Sequence, residues 1–96
     1  MAISEPPFTI GIEEEYMIVD AATGALVENP PSGLMAECEA RLEGQVSPEF
    51  MRSQIEVGTR VCANIGEARE ELRRLRGCIA EVTAAHGLAP IAASTH

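Results

Sequence analysis

The stretch Phe8-Thr9-Ile10-Gly11-Ile12-Glu13-Glu14-Glu15-Tyr16-Met17-Ile18-Val19 decides how this chain is read. It is rich in β-branched and aromatic residues, holds no proline and runs into the turn-like Asp20-Ala21-Ala22-Thr23-Gly24, so it reads as a β-strand over 8–19. Side chains alternate along a strand. Phe8, Ile10, Ile12, Glu14, Tyr16 and Ile18 therefore share one face, and Thr9, Gly11, Glu13, Glu15, Met17 and Val19 the other. Glu13 and Glu15 point the same way, roughly 6.6 Å apart along the strand at a rise of about 3.3 Å per residue. Two like charges on one sheet face repel, and a divalent cation removes that conflict. Gly11 leaves room for a ligand or a second backbone. A solvated acidic face produces the same alternation, and the E-x-E pattern alone does not choose between the two.

Outward from this strand, 20–24 reads as a hairpin turn and 25–28 as a short return strand. Asn29-Pro30-Pro31-Ser32-Gly33 then breaks regular structure. Ser32 caps a helix over about 33–43, with Leu34, Met35, Cys38 and Leu42 on one side and Gly44 closing it. After a loop containing Ser47, Pro48 and Glu49, a second strand is expected over about 52–61. Its alternation puts Arg52, Gln54, Glu56 and Gly58 on one face and Ser53, Ile55, Val57, Thr59 and Val61 on the other. If the two strands pair with their apolar faces together, Glu56 joins Glu13 and Glu15 on one surface. Three hard oxygen ligands suit Mg²⁺ or Mn²⁺ better than zinc. An ion pair between Arg52 and Glu56 on a wet face is the competing account.

Asn64 with Glu67 three positions on opens a long helix over about 64–86. Ile65, Ala68, Leu72, Leu75, Ile79 and Val82 form its apolar stripe, and Glu70, Arg73, Arg74 and Glu81 its polar side, with Glu70 and Arg74 spaced as an i, i+4 pair. The arginines are either a phosphate contact or a solvated helix face. Beyond Gly87, residues 88–96 read as a third strand that stops at Ser94-Thr95-His96 without a turn or polar tail, and a segment of a longer protein is expected. The elements together predict an α+β fold, an antiparallel sheet with helices packed on one face.

Whole-chain properties narrow the function. A net charge of −8 with only seven Lys and Arg argues against a track along nucleic-acid phosphates, and 3% aromatic residues limit any stacking platform for bases. No apolar run is long enough for a membrane span, and the N-terminus has neither a basic nor an apolar signal region, so the cytoplasm is expected. Cys38, Cys62 and Cys78 form no C-x-x-C pair and no zinc spacing, and read as reduced, small hydrophobes.

Several blocks taken in order, Gly11-Ile12-Glu13-Glu14-Glu15-Tyr16 with Val19-Asp20 and Thr23-Gly24, then Ser53-Gln54-Ile55-Glu56-Val57, then Ala68-Arg69-Glu70-Glu71-Leu72, and last Gly87-Leu88 and Ala93-Ser94-Thr95-His96, resemble the start of the carboxylate-amine ligases, the glutamate-cysteine ligase type 2 family. Nearly the whole chain takes part in this resemblance. It implies part of a glutamine synthetase-like catalytic domain: an antiparallel sheet curved into a funnel, helices behind it and metal-ATP inside. It implies ATP-dependent joining of a glutamate-like carboxylate to a cysteine-like amine through an acyl phosphate, with Mg²⁺ or Mn²⁺ held by Glu13, Glu15 and Glu56. Gln54, Thr95 and His96 become substrate contacts, Glu49 a further candidate, and Glu14 the partner of an arginine rather than a ligand. No residue of this chain is expected to act as an acid or base. The remainder of the same catalytic domain, or further copies in a homo-oligomer, are the expected partners. The alternative class is a non-catalytic metal-binding or interaction module, such as a split or regulatory subunit, or a relative that kept the fold and lost its substrate.

Overall fold

A computed structural model describes residues 9–48 and 53–92. The order of elements is β1 (Glu13–Asp20), α1 (Ser32–Leu42), β2 (Val46–Pro48), β3 (Gln54–Gly58), α2 (Ile65–Ala84) and β4 (Leu88–Ala92). The four strands form one antiparallel sheet in the order β2-β3-β1-β4. Both helices lie on one side of it, and the α+β architecture expected from the alternation is the one observed.

Burial follows that alternation. Tyr16 and Ile18 of β1 and Ile55 and Val57 of β3 join Leu34, Cys38 and Leu42 of α1 and Leu75, Cys78, Ile79 and Val82 of α2 in one core. Each large aliphatic side chain taken from water there contributes about 1.5–3 kcal/mol. The other sheet face carries Glu13, Glu15, Gln54 and Glu56 and has no helix over it among the described residues.

Local chemistry sets the ends of the elements. After β1, Asp20 Oδ1 accepts the backbone N–H groups of Ala22 and Thr23, each at 2.9 Å, and Gly24 adopts φ +76° to close the turn. Asn64 caps α2, its side chain accepting the Glu67 N–H at 2.9 Å, while Glu67 Oε1 accepts from Ala63 N at 3.2 Å. At the end of α1 the chain turns through left-handed Glu43 (φ 38°) and Gly44 (φ 86°). That reversal sends Gln45 back toward α2.

Several expectations are corrected. The return strand expected over 25–28 is a single bridge, Val19 to Leu26, because β3 runs along that edge of β1 as far as Met17 and Ser53 O takes the Ile18 N–H, which leaves only the last residues of β1 to pair with 25–27. The loop expected before the second strand contains β2, whose three residues are too few to show a period. Ser32 is the first helical residue of α1, Pro31 stands at the cap position, and no side chain caps that end. Ile65, assigned to the apolar stripe, is 68% exposed, because it lines an open cavity shared with Ile10 and Ile12 and the buried residues of α2 begin at Ala68. Glu70 pairs with Arg73 at 3.6 Å, whereas Arg74 turns to Glu71 at 3.3 Å. Of the strand expected over 8–19, Ile10 makes an isolated bridge to Cys62 and continuous pairing starts at Glu13.

The interval between those two pairings is a β-bulge. Gly11 and Ile12 on one side face Thr59, Arg60 and Val61 on the other, between the pairs Ile10–Cys62 and Glu13–Gly58. Thr59 bridges the irregularity, its N–H reaching Ile12 O and its Oγ1 accepting from Ile12 N, both at 2.9 Å. No helix among the described residues is long and apolar enough to cross a membrane.

Candidate functional site

The acidic face is built by the register of two strands. In the β1–β3 ladder Glu13 is opposite Gly58, Glu15 opposite Glu56 and Met17 opposite Gln54. Residues directly opposite in a ladder share a face, with Cβ atoms about 4.5–5.5 Å apart. The structure thus brings Glu13, Glu15, Gln54 and Glu56 onto one surface, as alternation within each strand and their pairing together require. Gly58 gives Glu13 space: a Cβ there would stand 3.9 Å from Glu13 Cγ. Thr95, His96, Glu49 and Arg52 lie outside the described residues.

Glu15 is half-buried, and its Oε2 is the one buried side-chain oxygen or nitrogen without a hydrogen-bond partner among the described residues. A shielded carboxylate oxygen with no donor is costly unless a cation or proton reaches it. Its lone pairs therefore mark the side of the sheet on which a positive group would be stabilised. The donor set, all carboxylate oxygens with a neutral amide nearby, matches a hard divalent ion in kind. Among the described residues no three His, Cys, Asp or Glu side chains are gathered closely enough to hold an ion. Closing such a shell from Glu13, Glu15 and Glu56 requires their long side chains to rotate on a backbone whose register already sets them side by side.

Glu14 points the other way. Its Oε1 accepts from Arg76 Nε at 2.8 Å, its Oε2 from Arg76 Nη2, and Tyr16 Oη also donates to it. The Arg76 hydrogen bonds hold the Glu14 carboxyl below its usual range, and Glu14 in turn pushes the Arg76 guanidinium up. Burial, followed by the Glu14 hydrogen bond, pushes the Tyr16 phenol up. The arginine partner expected for Glu14 is thus identified. This pair lies on the helix side, where a cavity of about 560 Å³ is lined by Ile10, Ile12, Ile65, Leu72 and the stems of Arg69 and Arg76. That cavity is on the opposite face from the acidic cluster and is not part of it.

A second charged cluster was not anticipated. Glu71 is 5% exposed, on the sheet-facing side of α2. Its Oε1 accepts from Gln45 Nε2 at 2.9 Å and Arg60 N at 3.2 Å, and its Oε2 from Arg60 Nη2 at 3.1 Å and Arg74 Nε at 3.3 Å. Burial alone drives its carboxyl up, but these donors outweigh it and hold it down at about 2. The sequence carried a signal for it. Glu71 falls three residues after Ala68 and four before Leu75, in phase with the apolar stripe, where a carboxylate needs donors of its own.

Comparison with known proteins bears on the identity of this surface. The family model described as "Glutamate-cysteine ligase family 2" matches residues 9–96. The chain is 56% identical over 93 residues to a protein of Jannaschia sp. (strain CCS1), covering 97% of this chain and 24% of that one. It is 54% identical over 92 residues to a protein of Paracoccus denitrificans (strain Pd 1222), covering 96% and 24%. Against a protein of Rhodospirillum rubrum it is 53% identical over 96 residues, covering 96% and 25%. All three are provisionally named glutamate–cysteine ligase 2. The chain spans about a quarter of the length of these curated relatives. The match runs through both strands that build the acidic face, and the chain belongs to glutamate-cysteine ligase family 2.

Proposed function

We propose that this chain is the N-terminal part of an ATP-dependent carboxylate-amine ligase that joins a glutamate-like acid to a cysteine-like amine as a γ-glutamyl amide, and that it supplies the acidic wall of the active site. The observation that carries the reading is the pairing of Glu15 with Glu56 on a face shared by Glu13 and Gln54. Membership of the glutamate-cysteine ligase family supports it.

A carboxylate is a poor electrophile. ATP first transfers its terminal phosphoryl group to the acid; the amine nitrogen then attacks the acyl carbon, the bond to the phosphate oxygen breaks, and phosphate leaves. Glu13, Glu15 and Glu56 are ligands in this scheme and not bases. Bound there, Mg²⁺ or Mn²⁺ would neutralise the phosphate oxygens and offset charge on the phosphoryl group in flight. Without a cation, this face would repel ATP. Holding the carboxylates on paired strands keeps them from relaxing toward solvent when nucleotide arrives. Gln54, one period along β3 from Glu56, offers an amide to orient a substrate carboxylate, and Thr95 and His96 are assigned to the same duty. We assign the reaction to the cytoplasm, which keeps thiols such as the free and buried Cys38, Cys62 and Cys78 reduced.

The test is ADP formation by the full-length protein with glutamate and cysteine at saturating Mg²⁺. Glu13→Gln and Glu15→Gln should each lower turnover by orders of magnitude while the far-ultraviolet circular dichroism stays that of the parent. Turnover equal to the parent in both variants would refute the assignment.

A further inference from the structure

We infer that Glu71 is a positioning residue for the acidic face: it anchors the bulge at 59–61 and so sets where the β1–β3 register begins. The inference rests on the ligand role proposed for Glu13, Glu15 and Glu56.

The bulge gives the chain leaving β3 one residue more than the segment it faces, and the extra residue frees a backbone donor from the ladder. That donor is Arg60 N, and Glu71 Oε1 accepts it at 3.2 Å. The same carboxylate takes the Arg60 side chain, Nε to Oε1 at 3.1 Å and Nη2 to Oε2 at 3.1 Å, so both ends of Arg60 are tied to α2. Gln45 completes the anchor. Its Nε2 donates to Glu71 Oε1 at 2.9 Å and to Gly58 O at 3.2 Å, and its backbone O accepts from Gly58 N at 2.9 Å. Gly58 is the register partner of Glu13 and lies two residues beyond Glu56.

Glu71 therefore holds the exit of β3 through two routes, Arg60 on one side of Thr59 and Gln45 bound to Gly58 on the other. A register slip by one residue would turn every side chain of β3 to the opposite face and take Glu56 away from Glu15. The bulge is the place where such a slip would be absorbed. A buried carboxylate saturated with donors from three directions has a single arrangement that satisfies it, which makes it a stiff anchor.

The experiment uses the full-length protein and the variant Glu71→Gln, which keeps the shape and loses the charge and one acceptor. Mn²⁺ binding is followed by electron paramagnetic resonance without nucleotide, and exchange of the Gly58 and Arg60 amides by hydrogen–deuterium exchange. The expected result is faster exchange at both amides, Mn²⁺ binding weakened about tenfold, and a larger rise in KM for Mg-ATP than fall in kcat. Faster amide exchange with Mn²⁺ binding equal to the parent would reduce Glu71 to a structural clamp and overturn the inference. Should Glu71→Gln not fold, Gln45→Met removes the side-chain route from Glu71 to Gly58, and with it the hydrogen bond from Arg74 to the Gln45 amide, while Arg60 stays bound to Glu71, and the same two measurements decide. Glu15→Gln is the reference. Loss of Mn²⁺ binding there with full binding in Glu71→Gln defeats the positioning role alone, whereas full binding in Glu15→Gln defeats the metal reading and the inference with it.

Discussion

Glu15 and Glu56 are register partners across the β1–β3 ladder, two carboxylates on directly opposed positions of one sheet face. Like charges so placed oppose folding, by up to about 1 kcal/mol. The shielded Oε2 of Glu15, without a donor, adds to that cost.

The first prediction follows from this opposition. In metal-free buffer at pH 7, Glu15→Gln should leave the full-length protein as stable as the parent or more stable, by up to about 1 kcal/mol. Adding Mg²⁺ should raise the Tm of the parent and leave that of the variant in place, since only a folded state that binds the ion is stabilised by it. Calorimetric scans with and without Mg²⁺ check both halves, and an equal Mg²⁺ shift in both proteins would contradict them.

Glu71 makes a prediction about acid. Its folded-state carboxyl is held at about 2, below the ordinary 4.5, so the unfolded chain takes up a proton first as pH falls. The stabilisation is complete above pH 4.5 and disappears as pH drops from there toward 2. The shift sets an upper limit on the order of 3 kcal/mol, reduced because Arg60 and Arg74 reach solvent and their charges are screened. Exchange protection of the Arg60 amide should decline through this window in the parent. In Glu71→Gln it should be low and flat over the same range.

Glu14 and Arg76 test the helix side independently of catalysis. The Glu14 side chain is 19% exposed and that of Arg76 57%, so removing the arginine leaves a largely shielded carboxylate facing only Tyr16. Arg76→Met should cost about 1 kcal/mol, and Glu14→Gln in the same molecule should recover part of it. Denaturant titration of the two single variants and the double variant measures the coupling. Additive losses would show that the pair contributes nothing beyond its separate parts.

The core of the acidic face was legible because strand alternation has a period of two. Once β1 and β3 were recognised, Glu13 and Glu15 had to share a side, and so did Gln54 and Glu56. The arginine partner of Glu14 was legible in kind, because a carboxylate on an apolar face needs one. Its identity as Arg76 was not, since 62 residues separate the two in sequence and α2 alone brings them together.

What the sequence by itself determined was the strands β1, β3 and β4, the two helices, the faces of β1 and β3 and the family, because local periodicity, caps and ordered motif blocks are properties of neighbouring residues. Only the tertiary structure decided which strands are neighbours, that Glu15 stands opposite Glu56 rather than one step away, and that a bulge at 59–61 is tied down by Glu71. The physical reason is that register and bulge anchoring depend on hydrogen bonds between segments far apart in the chain, and no local pattern of side chains encodes which distant donor a buried carboxylate will find.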